Sequence, residues 1–391
     1  MRIRYPDIFK GLNKNIIVLS IVSFFTDVSS EMLYPIIPIF LTTVLGAPMS
    51  VLGLIEGIAE SAASILKAFL GWFSDIAKKR CPFVISGYFL SSLGKLFFFL
   101  AYSWPVVLLA RLIDRIGKGI RTSPRDALIA DSCEDAYRGK AFGFHRAMDT
   151  LGACLGPLFA LWLLVVLKEN LRIVFLIAFI PAILAVVILI LFLKESPLLS
   201  RLNNAPLKFN IKLFSPTFKR FLLISTIFAI GNSSDAFLIM RAKSIGLVTT
   251  VVILTYVVYN VSYSALSFPA GILSDRIPRK TVIIGGYIIF AIVYSGFGIY
   301  ANAVSIWPLF FIYGFYMAMT DGVSKAFITD VAEKEIMGTA LGIYYCITGL
   351  ATFFASLIAG LLWTYVGAAA PFVYGAVMAI ISCVAFIILI K

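Results

Sequence analysis

Arg111-Leu-Ile-Asp114-Arg115-Ile-Gly117-Lys118-Gly119-Ile-Arg121-Thr-Ser-Pro124-Arg125-Asp126 is the stretch on which the fold turns. In a water-soluble chain it reads as a basic loop for phosphate or nucleic acid. Its surroundings argue otherwise. The chain of 391 residues is 61% hydrophobic and 14% charged, with 34 Phe and a mean hydropathy of +0.98. That is too apolar for a water-soluble fold. Apolar runs long enough to span a bilayer, about 18 residues or more, recur along the whole length. They are continuous rather than alternating, which does not suit a membrane β-barrel. A dense charge cluster in such a chain must pair, line a polar cavity or sit at an interface. One intramembrane charge facing lipid costs about 2.5–3.5 kcal/mol on the insertion scale.

The expectation is an all-α membrane protein of twelve transmembrane helices. The spans are placed at 15–45, 50–74, 82–102, 105–131, 138–167, 171–193, 217–246, 249–273, 281–301, 305–331, 337–366 and 369–390. Gly46-Ala-Pro48, Trp104-Pro105, Trp307-Pro308 and Gly367 to Pro371 supply turn signals between them. This counting puts Arg111–Arg121 inside the fourth span, with Pro124 bending its end. Basic residues before the first apolar run (Arg2, Arg4, Lys10, Lys14) admit a signal peptide as a competing reading. Asp27 and Glu31 within that run, and the lack of a small-residue cleavage site, favour a first transmembrane helix. Cys81, Cys133, Cys154, Cys346 and Cys383 are scattered, with no CxxC or Cys/His cluster, so neither a disulfide framework nor a metal site is expected.

The net charge of +13 is distributed as a topology signal. About twenty Lys and Arg fall in loops of one side, against about four (Lys168, Arg172, Arg241 and Lys243) on the other. Both termini are therefore expected in the cytoplasm, in a bacterial inner (plasma) membrane, and nucleic acid is not an expected partner. The longest polar connection divides the chain into 1–195, a linker 196–216, and 217–391. The halves repeat. Gly71-Trp-Phe-Ser-Asp75 followed by Lys78, Lys79 and Arg80 recurs as Gly271-Ile-Leu-Ser-Asp275 followed by Arg276, Arg279 and Lys280. Ser29-Ser30-Glu31 is echoed by Ser233-Ser234-Asp235. Matches at nearly one shift, each at the same place in its half, indicate two six-span repeats.

With these residues in place, the chain resembles the major facilitator superfamily. The resemblance covers essentially the whole length and implies two pseudo-symmetric six-helix bundles working by alternating access. It also implies a gating role for Gly71, Asp75, Lys79, Arg80, Gly271, Asp275, Arg276 and Arg279. In span five, Gly152-Ala-Cys-Leu-Gly156-Pro157 looks like part of the antiporter motif of drug/proton exchangers, with Ala160 where the next Gly would stand. Physically, Gly152 and Gly156 allow close helix packing and Pro157 a kink. Related exporters place acids in span one, which this chain does at Asp27 and Glu31.

The remaining intramembrane charges are Glu56, Glu60, Lys67, Lys95, Arg111, Asp114, Arg115, Lys118, Arg121, His145, Arg146 and Asp149. At about 1.5 Å of rise per residue, Asp27, Glu60, Asp114, Arg115 and Asp149 reach similar depth near the midplane. One reading is a neutral internal salt-bridge network. The sharper reading is that Asp27, Glu31, Glu60 and Asp149 take up and release protons. Arg111, Asp114, Arg115 and Lys118, with Asp235 and Asp321 of the second half, then form a charge network that also binds substrate. The bases of span four share one face at spacings of three to four, with the acids expected as their partners. His145, the only histidine, reads as structural rather than as a relay. The second half offers Tyr256, Tyr259, Tyr263, Tyr313, Tyr316, Tyr344 and Tyr345 as packing or as an aromatic cavity wall.

No nucleotide-binding GxxxxGK[ST] loop, HExxH or Ser/His/Asp constellation is present, so an enzyme is not expected. The expected function is proton-coupled transport of a small organic molecule, by antiport and outward. Its partners would be that substrate, protons and lipid, with no cofactor beyond the proton gradient, and the chain a monomer. The alternatives are transport of an organic anion or siderophore, and a non-transporting receptor on the same fold.

Overall fold

The computed structural model describes residues 12–77, 79–134, 137–195, 214–332 and 337–390. No strand occurs among them. In the first half, α1 runs Lys14–Leu33 and continues past Tyr34-Pro35 through Ile36–Ile39 and a wide turn at Phe40–Val44. Then come α2 Met49–Ala77, α3 Cys81–Phe99, α4 Trp104–Asp131, α5 Arg138–Val166 and α6 Leu171–Phe192. In the second half, α7 comes in two pieces, Pro216–Gly231 and Ala236–Ser244. It is followed by α8 Thr249–Arg276, α9 Arg279–Ile299, α10 Ile306–Val331, α11 Met337–Tyr365 and α12 Ala370–Leu389. These bounds lie within a turn of the spans read from hydropathy.

Local chemistry fixes the ends. Asn13, Asn170 and Ser215 accept from the first free amides of α1, α6 and α7. Proline opens α3, α4, α7 and α12, where its missing N–H is not needed. Gly46 and Gly246 take left-handed backbone at φ +66° and +92°, closing α1 and α7 at matching places in the two halves. Ten spans among the described residues are long and apolar enough to cross a membrane on composition alone. The two helices absent from that set are α4 and α10. They carry the densest charge and the Tyr-Asp wall of the interior, so lipid-like composition gives way where a helix lines a polar space.

Within the first half, α1 packs on α5 and α6, while α3 lies on α4 and α6, and α2 on α4. Within the second, α8 and α9 pack on α10, and α12 on α7 and α9. The halves meet where α2 lies along α11 and α5 against α8. Glycine permits the first of these seams: a Cβ on Gly53 would collide with the Ser356 carbonyl, and one on Gly360 would stand 2.6 Å from that of Met49.

Asn15 of α1 donates to Lys194 O (2.8 Å) and Ser132 Oγ (3.3 Å), gathering the ends of α4 and α6 on one face. Ser215 and Arg220 bond Val331 O and Leu389 O on the corresponding face of the second half. This is the basic face; the opposite one is called the far face below. Two far-face arginines have local work. Arg172 donates to Ala101 O (2.7 Å) beyond α3, and Arg241 to Phe297 O (2.8 Å) in α9. Each satisfies carbonyls left free at a helix end.

Candidate functional site

A cavity of about 1180 Å³ lies between the halves, lined from α1, α2, α4 and α5 on one side and α7, α8, α10 and α11 on the other. Its far-face end is shut. The Tyr34 and Tyr256 rings stack there at 5.4 Å, and the Tyr256 hydroxyl donates to Glu31 at 2.8 Å. Glu56 accepts from Ser234 Oγ at 3.1 Å across the same seam. Toward the basic face the helices part: Gly143, Gly271 and Gly322 look onto open space, and Phe268 is 77% exposed.

The fourth helix is built to present charge inward. Gly117 lets it press on α3, where an added Cβ would meet the Gly87 carbonyl at 2.5 Å. Gly119 does the same toward α2, 2.9 Å from the Ala63 carbonyl. The Gly-Lys-Gly run is therefore a two-sided packing device, with Lys118 between its glycines exposed to the cavity. The close fit brings Lys95 of α3 to Asp114 (2.7 Å). On the α2 side, Arg111 pairs with Glu56 at 2.8 Å and Arg115 with Glu60 at 3.0 Å. Arg121 bonds Ser91 and covers the Tyr88 ring at 4.4 Å.

This corrects the expected partnership of α4 with the acids of α1, α2 and α5. Glu60 does pair with an α4 base. Asp27, Glu31 and Asp149 line the cavity but pair with no Lys or Arg among the described residues. Their depths match, but their directions do not: α1 packs mainly against α5 and α6, with only slight contact to α4. Gly152 and Gly156 set that packing. A Cβ on Gly152 would lie 2.7 Å from Phe24 O and 3.0 Å from the Asp27 Cβ, and one on Gly156 2.9 Å from the Glu31 Cβ. The two glycines thus hold α5 directly over the two acids of α1, while Pro157 lies within α5.

In the second half the acids meet tyrosines. Tyr313 donates to Asp235 at 2.6 Å. Tyr263 donates to Asp321 at 3.0 Å and accepts from Arg146 at 3.0 Å, and Lys325 pairs with Asp321 at 2.8 Å. Asp235 lies in the break of α7, where Asn232, Ser233 and Ser234 also line the cavity. Asn232 Oδ1, Ser233 Oγ and Asn260 Nδ2 are buried there without protein partners among the described residues. A polar break in a membrane helix is a common place for a ligand. Tyr34, Asn232 and Asn260 were not singled out from the sequence. The signal available was Gly231-Asn232-Ser233-Ser234, four small or polar residues in mid-span.

The repeated motif lies on the basic face, away from the cavity's closed end. Gly71 and Asp75 fall in α2, but their side-chain surroundings lie outside the described residues. Lys79 is exposed; Arg80 is buried and pairs with Asp131 at 3.2 Å, and its amide donates to Glu195 at 3.0 Å. In the second copy Gly271 looks onto open space toward the basic face, and Arg276 is exposed. Arg279 joins Asp275 (3.4 Å) to Asp330 (2.5 Å). No group of three metal-ligating side chains occurs among the described residues.

Comparison with known proteins gives the same architecture. The model of the Major Facilitator Superfamily matches residues 19–248 and 221–391. An uncharacterized MFS-type transporter, MJ1317, of Methanocaldococcus jannaschii is 40% identical over 379 residues, covering 95% of this chain and 94% of the relative. The quinolone resistance protein NorA of Staphylococcus aureus is 29% identical over 146 residues, 37% of each chain. Among solved structures, a D-xylose–proton symporter superposes with a TM-score of 0.77 at 16% identity, covering 98% of both chains, a likeness of fold. Twelve helices in two repeats around a polar cavity, matched over nearly the whole length by family and relative, make this chain an integral membrane transporter that belongs to the major facilitator superfamily.

Proposed function

We propose that the protein exports small, amphiphilic organic molecules in exchange for protons, by alternating access with the basic face in the cytoplasm. One observation carries this reading. Glu31 and Asp235 stand on opposite walls of the cavity's closed end, each held by a tyrosine hydroxyl and by no cation among the described residues. A carboxyl held in this way can carry a proton or meet a cationic substrate, but not both at once. That exclusivity is what antiport requires. Asp27 and Asp149 extend the set of cavity carboxyls with no Lys or Arg partner among the described residues, whereas Glu60 is paired with Arg115. The rings of Tyr34, Tyr256, Tyr259 and Tyr313 offer apolar and cation–π surface beside these acids. The partial likeness to NorA, a quinolone resistance protein, supports export. The positive-inside rule supports the orientation and a plasma-membrane location.

The organic-anion or siderophore reading keeps one specific support, the exposed ammonium of Lys118. Arg111 and Arg115, its other apparent attractions, are already neutralised by Glu56 and Glu60. The test is purified protein in vesicles with an imposed pH gradient and a dye reporting internal pH. Ethidium should drive proton movement, and Asp27→Asn should remove the pH-driven part while leaving the protein folded. Saturable citrate binding lost in Lys118→Ala, without ethidium–proton exchange, would move the assignment to the anion.

A further inference from the structure

A second space of about 530 Å³ adjoins the central cavity on its basic-face side, between α4, α5, α8 and α10. Arg146, Asp149, Tyr263, Ser267 and Asp321 line both, so the two are continuous. His145 lines only this vestibule. Its side chain is buried, at 4% exposure, yet neither ring nitrogen has a hydrogen-bond partner among the described residues. Its Nε2 lies 3.8 Å from Asp149 Oδ1, one turn along α5, and that oxygen also lacks a hydrogen-bond partner. Three unsatisfied buried polar atoms facing a roomy polar space are a place for bridging water. A further turn along α5, Gly152 rests on Asp27. Asp27, Asp149 and His145 are thus successive steps along one packed seam, from the central cavity to the vestibule.

We propose that His145 is the relay through which protons pass between the cavity carboxyls and water at the basic face. This rests on the proton-exchange reading above. The step balances simply. The Asp149 carboxyl gives its proton, through a water, to Nε2 of the neutral imidazole. The imidazolium then gives up the proton on Nδ1 to vestibule water, and a flip of the ring about its Cβ–Cγ bond turns the bare nitrogen back toward Asp149. No bond other than N–H and O–H changes. The surroundings keep the ring from being trapped as a cation by one acid. Asp149 of α5, Asp126 of α4, Asp275 of α8 and Asp321 of α10 line the vestibule. They are balanced there by Arg125, Arg146 and Lys325, with Tyr263 as a neutral donor. An imidazole can accept a proton at one ring nitrogen and give one up at the other.

The experiment uses the full chain in vesicles, with ethidium as probe and an internal pH dye. His145→Gln keeps the polarity and approximate size of the ring but cannot carry a proton. We expect its ethidium–proton exchange to slow by about a hundredfold, the lower end for losing a proton-transfer group. Ethidium binding at equilibrium should be unchanged. His145→Ala should be slowed equally, and millimolar imidazole in the buffer should restore its exchange, a response that a purely structural role would not give. Wild-type exchange with an unaffected His145→Gln, or slowing that imidazole does not relieve in His145→Ala, would overturn the relay alone. Absence of exchange in the wild type would instead overturn the proton-exchange reading, and the relay with it.

Discussion

Contacts within each half and contacts between the halves are made of different chemistry. Among the described residues every ion pair joins two residues of the same half. Examples are Glu56–Arg111, Glu60–Arg115 and Lys95–Asp114 in the first, and Asp321–Lys325 and Arg279–Asp330 in the second. Across the cavity, charged groups of the first half meet hydroxyls or rings of the second: Glu31 with Tyr256, Glu56 with Ser234, Arg146 with Tyr263, Lys67 with Tyr345. The difference matters for movement. Leaving one member of a buried ion pair alone costs about 3–5 kcal/mol. A hydrogen bond between a charge and a neutral group is worth about 1.5–3 kcal/mol and is readily replaced by water. A protein that must keep two bundles rigid while letting them separate is served by ion pairs inside each and hydroxyls between.

That contrast can be broken from either side. The largest effect should follow loss of one partner inside a half. Glu56→Ala leaves Arg111 with only the more distant Glu60 at 3.9 Å, and removes the Ser234 bond as well, and should cost about 3 kcal/mol, read as a fall in melting temperature of the detergent-solubilised protein. Replacing both, Glu56→Met with Arg111→Met, should recover most of it. A double variant as unstable as the single one would show that the pair is not a closed unit.

A smaller effect is expected between the halves. Tyr256→Phe removes one bond to Glu31, about 1.5–3 kcal/mol. It should leave melting nearly unchanged while favouring the far-face-open state, measured in a background without native cysteines as faster thiol labelling of a Cys placed at Met240, which is buried against Thr42 of the other half. Equal labelling of both proteins would remove Tyr256 from the closure. The smallest effect belongs to Lys67, whose ammonium lies 4.1 Å from the centre of the Tyr345 ring. Lys67→Met should shift the same labelling by only about 0.5–1 kcal/mol, and in the opposite sense, because this contact lies nearer the basic face.

The sequence carried much of this architecture on its surface. Hydropathy and turn residues placed the helices because a membrane span leaves a long, one-dimensional signature. Even the charged α4 was placed, since its neighbours fixed the count. Partner choice was another matter. Rise per residue gives the height of a side chain but not its direction around the helix axis. Asp27 and Arg115 were therefore matched by depth although α1 faces α5. Lys95 and Asp114 meet only because Gly94 and Gly117 let α3 and α4 approach, which depends on both helices at once. The tyrosines were visible as a group, but their hydroxyl bonds to Asp235, Glu31 and Asp321 depend on ring direction, which no spacing rule supplies. The vestibule beside His145 likewise exists only between helices, so no spacing rule shows it.

The most direct test of the central contrast is a set of distances. With the five native cysteines replaced, spin labels at Val44 and Val248 report across the halves on the far face, and Val44 with Tyr102 and Val248 with Val304 report within each half; all four side chains are exposed. Pulsed electron resonance should show the cross-half distance lengthening in Tyr256→Phe, and in wild type shifted to its far-face-open state, while both within-half distances stay fixed. Within-half distances that change as much as the cross-half one would contradict rigid, ion-paired bundles parting at hydroxyl contacts.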